Sequence, residues 1–185
     1  MQGHVTILGF TPNIEAMIAS GGRISTMDGT ADEIFETSIA AGREKNEKLI
    51  GKVLSSGHTS VLEHGFVNLA FENVSVLAEQ FLIEFRLASF TVKSRRYVDF
   101  SKAGYVSPAF ADDAQRVVFE NTAASLFRTY DVLEAAGIPK EDARFVLPYC
   151  FCSNFFCSMN ARELVHVMNE LTYGRGSRIP ELRAL

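Results

Sequence analysis

The sequence predicts an α+β fold, a modest sheet carrying long packed helices. Three observations lead there. Residues 112–136 form one long helical pattern, closed by Gly137 and Pro139. Val5 to Phe10 and Gly65 to Asn73 have strand length, and turn residues bound the first of them. Both kinds of segment occur in one chain without internal repeat, linker or low-complexity tract.

Taken in order, the strand at Val5–Phe10 ends at Thr11-Pro12-Asn13. Ile14 to Ala19 reads as a short helix stopped by Gly21-Gly22. Thr30-Ala31-Asp32-Glu33 is a capping box, in which hydroxyl and carboxylate each satisfy an orphan N–H of the first turn. Its helix runs to about Ala41, and an amphipathic one covers Asn46 to Ser55. Gly57-His58-Thr59-Ser60 turns into another element. Phe66, Leu69 and Phe71 mark the strand at Gly65–Asn73, and apolar residues at 76, 77, 81, 82 and 85 give helical spacing to Ser75–Phe85. Val98 to Val106 reads as an extended segment crossing the sheet. Lys140 to about Tyr173 reads as largely helical and very apolar, with Pro148 kinking or starting a segment.

At 185 residues the chain is expected to be a single domain, 1–185, with 47% hydrophobic and 22% charged residues. A net charge of -4 argues against a nucleic-acid binder, yet leaves room for a local cationic pocket. No apolar run approaches the ~20 residues of a membrane span, and the opening residues lack a basic start and a long apolar run. Cys150, Cys152 and Cys157 are odd in number and clustered, which points to a reducing, cytoplasmic setting and to core packing rather than disulfides. His58 and His64 flank Glu63, but His-x5-His is not a standard zinc spacing, and no metal site is expected.

The most informative stretch is Ile83–Tyr97. It sets Arg86, Lys93, Arg95 and Arg96 around Ser89 and Ser94 between apolar flanks, the donor set a phosphate-bearing ligand needs. Arg86, seven residues and then Ser94, followed by Arg96-Tyr97, resembles the second half of the R-H-R-x7-S signature of the flavin-dependent thymidylate synthase (ThyX) family. Four further segments resemble that family in the same order: Val5–Pro12, Gly57–His64, Ala143–Pro148 and Asn160–Leu164.

The resemblance implies the thymidylate-synthase-complementing-protein fold, with a central mixed β-sheet, long helices and a homotetramer whose ligand pockets form between chains. It implies methyl transfer from methylenetetrahydrofolate to C5 of a uridine nucleotide, reduction by FAD and re-reduction of the flavin by NADPH. It assigns Ser94, Arg96 and Arg144 to the catalytic nucleotide side, and Ser60, Glu63, Arg86, Asn160 and Arg162 to flavin. His166 falls at a further cofactor position, where the family has Asn.

The departures cluster on the nucleotide side. Glu84 and Phe85 replace the first Arg and the His of the signature, Thr91 and Val92 replace Asn and Glu, and Leu171 replaces a second nucleotide Arg. An anion near ~4 Å from a phosphate charge costs roughly 4 kcal/mol at an intermediate dielectric. Arg175 or Arg178 can compensate from the next turn. The C-terminal end is shorter than usual for the family. The expectation is therefore an enzyme with a degenerate nucleotide site, its rivals being a paralogue for another pyrimidine nucleotide and a non-catalytic FAD- or nucleotide-binding or partner subunit.

Overall fold

The computed structural model describes residues 3–185. Four strands, β1 (His4–Phe10), β2 (Phe66–Ser75), β3 (Ala88–Val92) and β4 (Cys152–Asn160), form one sheet in the order β1-β2-β4-β3. Every neighbouring pair is antiparallel. The expected mixed sheet is therefore corrected to an antiparallel one. β2 and β3 do run the same way, joined by α4 (Val76–Leu82), but β4 lies between them and separates the would-be parallel pair.

β4 is also the main departure from the sequence reading, which places the three cysteines on a helix. Cys152, Phe155, Cys157 and Met159 are buried, while Phe156 between them is 58% exposed. Apolar residues on both faces erase the period-two signal, so an apolar run of this length reads as helix or strand alike. α-Helix is confined to α6 (Lys140–Ala143), which runs on into a 3₁₀ turn at Arg144–Val146, and α7 (Ala161–Thr172) on either side. Likewise residues 98–106 do not cross the sheet. They meet the run leading into β4 through the isolated bridge Tyr105–Phe151 and a bond from Val106 N–H to the Cys150 carbonyl, and the first residue of β4 through Cys152 N–H to the Gly104 carbonyl.

α1 (Ile14–Arg23), α2 (Ala31–Ala41) and α3 (Arg43–Ser55) pack together around a buried polar knot. Arg23 donates at 2.8 Å to both Ser38 and Asn46, and Asn46 donates to the Ser38 carbonyl. α1 runs through Gly21-Gly22 instead of stopping there. A Cβ at position 21 would lie 2.8 Å from the His64 ring, so this glycine serves a close approach. The Thr30 capping box forms as expected: Glu33 N–H donates to the Thr30 hydroxyl at 3.3 Å, and Thr30 N–H to the Glu33 carboxylate at 2.8 Å.

The main core lies between one sheet face and α4, α7 and α8 (Pro180–Ala184), joining Leu69, Phe71, Phe155 and Met159 to Phe81, Leu82, Val167 and Leu182. A second core packs Phe127 and Tyr130 of α5 (Asp113–Ala135) against Phe100, Leu147 and Phe151. On the opposite sheet face Ser158 donates to Asn68, and Phe66 and Phe156 stay exposed.

Candidate active site

The signature stretch leaves α4 through a turn carrying Glu84 and Arg86, crosses the sheet edge as β3, and enters a loop over residues 93–98. The loop is pinned at its start by Lys93 N–H to the Asn154 carbonyl at 3.0 Å. Farther on, Val98 N–H reaches the Ser94 carbonyl at 3.1 Å. Of its cations, Arg95 turns inward. Its Nη2 spans both oxygens of the buried Glu79 at 2.6 and 2.7 Å, and its guanidinium lies 5.3 Å from the Phe151 ring centre. Arg95 is thus part of the interior, not of an open cationic patch.

Arg96 and Arg144 come together at Glu141, which the sequence reading missed, and Ser94 lies beside Arg96 in the same loop. Arg96 donates through Nε to the Glu141 carboxylate, and Arg144 through Nε to the Glu141 carbonyl, both at 2.8 Å. Ser94 Oγ accepts from Arg96 N–H at 3.2 Å. Among the described residues neither guanidinium bonds through its terminal nitrogens, so each keeps a two-pronged donor fork. The Tyr97 ring lies under Arg96 at 5.8 Å and the Phe145 ring under Arg144 at 5.6 Å, which restrains both planes. The signal available for Glu141 was its spacing of one helical turn from Arg144; its pairing with Arg96 spans 45 residues.

A second group gathers at the other end of β3 and β4. Glu63, in the 3₁₀ turn Thr59–His64 that also carries the exposed Ser60, pairs closely with Arg162. Asn160 caps α7, its Oδ1 accepting from Glu163 N–H at 2.9 Å. Ala161 N–H donates to the Gly65 carbonyl at 2.7 Å and ties this cap to the 3₁₀ turn. Leu87 N–H donates to Glu163 at 3.4 Å, which brings the Arg86 turn alongside, and Arg86 itself is exposed without an ion-pair partner among the described residues. His166 stands farther along α7, edge-on to Phe85 at 5.4 Å.

The two groups do not meet within one chain. Ala88 pairs with Met159 at the Arg86 end and Val92 with Phe155 at the Ser94 end. The five residues of β3 between them span about 17 Å at ~3.3 Å per residue.

Glu84 is not a bare anion. Arg175, from the 3₁₀ turn Arg175–Arg178, donates to it at 2.8 Å and lies over the Phe81 ring at 5.2 Å. Leu171 packs against the main core. Burial pushes the Cys157 thiol up to about 12 and raises those of Cys150 and Cys152, so all three stay protonated and un-nucleophilic near neutrality.

The family model of the thymidylate synthase complementing protein, Thy1, matches residues 6–179. The chain belongs to this family. It is 36% identical over 166 residues to a flavin-dependent thymidylate synthase of Geobacter sulfurreducens, covering 88% of this chain and 70% of that one. It is 38% identical over 181 residues to one of Nitratidesulfovibrio vulgaris, covering 91% and 74%. Two solved structures share the fold, each with a TM-score of 0.74. The UMP/dUMP methylase PolB of Streptomyces cacaoi is 24% identical over 92% of this chain and 77% of its own. Thymidylate synthase X of Helicobacter pylori, solved with FAD and dUMP, is 20% identical over 98% and 88%. The α+β architecture is thus that of the family. No described helix is long and apolar enough to cross a membrane.

Proposed function

We propose that this chain is a flavin-dependent thymidylate-synthase-like enzyme. It transfers a one-carbon unit from methylenetetrahydrofolate to C5 of a uridine nucleotide, and NADPH restores the flavin. The observation that carries this reading is the pair of guanidiniums at Glu141. Arg96 and Arg144 are each held through Nε, with a terminal fork left over. Two oriented forks suit a phosphate's planar oxygen edges, and Ser94 adds a hydroxyl.

The second group fits FAD by its donor chemistry. Arg86 is an uncommitted cation for the diphosphate, Arg162 keeps nitrogens beyond the one on Glu63, and the Asn160 amide nitrogen has no partner among the described residues. Ser60, Glu63 and His166 offer further polar edges to the ring system. FAD, when bound, supplies the reducing equivalents for the transferred carbon. The protein's own part is to hold the nucleotide by its phosphate, to align its base and to fix the flavin's diphosphate.

The strand-length separation of the two groups supports pockets assembled between chains, in keeping with a homotetramer. The exposed Phe66 and Phe156 on the open sheet face favour association. Arg175 neutralises Glu84, so an incoming phosphate meets an ion pair rather than a lone carboxylate, while Leu171 supplies no cation. dUMP is therefore held more weakly than where both positions carry Arg, and the same change favours a different pyrimidine nucleotide as the second reading.

FAD titrated into flavin-free protein should lose fluorescence with a low-micromolar constant or tighter, about -8 kcal/mol. No binding at several hundred micromolar overturns the reading. Tritium release from C5-labelled dUMP then tests the chemistry, and labelled UMP in parallel tests the second reading.

A further inference from the structure

We propose that Glu79 is a positioning residue for the nucleotide group, acting through Arg95; this rests on the nucleotide reading above. Glu79 lies in the middle of α4 and is 1% exposed. Arg95 Nη2 bridges both its oxygens, the Ser153 hydroxyl donates closely to Oε2, and Gln80 Nε2 donates to Oε1 at 3.2 Å. A buried ion pair of this kind is a weak source of stability, since desolvation offsets most of the attraction. This one is also imperfect: Arg95 Nε is buried and has no partner. Stability alone does not account for it.

What the pair does determine is geometry. Arg95 is the residue between Ser94 and Arg96. Its side chain is held inward at 19% exposure, while that of Arg96 stands outward at 58% and reaches Glu141. Along an irregular loop, fixing one side chain inward orients the neighbours on both sides. The backbone bonds at Lys93 and Val98 hold the loop's flanks, and at its centre the Glu79–Arg95 contact anchors a side chain in the interior, whereas the Arg96–Glu141 pair lies in the open. Ser153 and Phe151 of the β4 region complete the clamp, so the loop's register is referred to the sheet itself. An apolar pair of similar volume would fill the space without fixing the loop's direction.

The test uses full-length protein loaded with FAD. The variant is Glu79→Gln combined with Arg95→Met, which removes both buried charges and leaves neither unpaired. Its thermal midpoint should stay near the unaltered protein's and its FAD affinity within about twofold, while the dUMP dissociation constant rises about tenfold or more. A double variant that binds dUMP as the unaltered protein does overturns the proposal and leaves the pair a purely structural feature. Unaltered protein that binds FAD but neither dUMP nor UMP overturns the nucleotide reading and the positioning role with it, and is told apart by failing before any variant is made. If the double variant does not fold, Ser153→Ala decides. It removes one restraint on Glu79 and keeps both charges. Severalfold weaker dUMP binding at unchanged FAD affinity supports positioning, and unchanged dUMP affinity overturns it.

Discussion

Glu79 and Glu84 belong to one short stretch of chain, and each is paired with an arginine, but their surroundings are opposite. Glu79 is 1% exposed and shares its oxygens among Arg95, Ser153 and Gln80, whereas Glu84 is 55% exposed and, among the described residues, bonds to Arg175 alone. The contact distances are similar, 2.6 and 2.8 Å. Distance therefore says little about what either pair contributes. In the interior, the cost of leaving one charge alone dominates; at the surface, water replaces the lost partner.

Breaking the buried pair from one side should give the largest effect. Glu79→Ala strands the Arg95 guanidinium and should cost about 3–5 kcal/mol in urea unfolding. A loss below about 1 kcal/mol would show that water reaches the pair and that the contrast with Glu84 is false. Ser153→Ala removes one donor and leaves the charges matched, so about 1–3 kcal/mol is expected from the same measurement. Arg175→Gln should give the smallest effect, a slight loss in the same unfolding measurement. That small loss should vanish near 1 M salt, where screening acts within about 3 Å. If it persists there, the Arg175 stem on Phe81 rather than its charge holds the C-terminal turn.

The same contrast explains what the sequence disclosed. Local signals read well: the Thr30 box, the long α5 and the strand beginning at Phe66 depend on residues within a turn or two of one another. The site arginines were legible as types, and Arg96 and Arg144 do come together. Their arrangement was not legible, because it depends on Glu141, 45 residues from Arg96. Arg95 reads as one more cation of a binding patch, since nothing nearby reveals that Glu79 and Phe151 enclose it. Glu84 reads as a bare anion for the same reason, its partner lying 91 residues away. β4 was hidden by chemistry instead of distance. Phe156 is as apolar as Phe155, and only the sheet distinguishes their faces.

The length of β3 has a consequence for inheritance. If the pocket draws its flavin side from one chain and its nucleotide side from another, a lesion at Arg162 and a lesion at Arg96 damage opposite halves of each chain. A cell expressing only one of the two altered proteins would have no intact pocket. A cell expressing both would assemble mixed oligomers in which some pockets receive an undamaged half from each chain. Two inactive alleles would then complement each other, whereas two lesions on the same end of β3 would not.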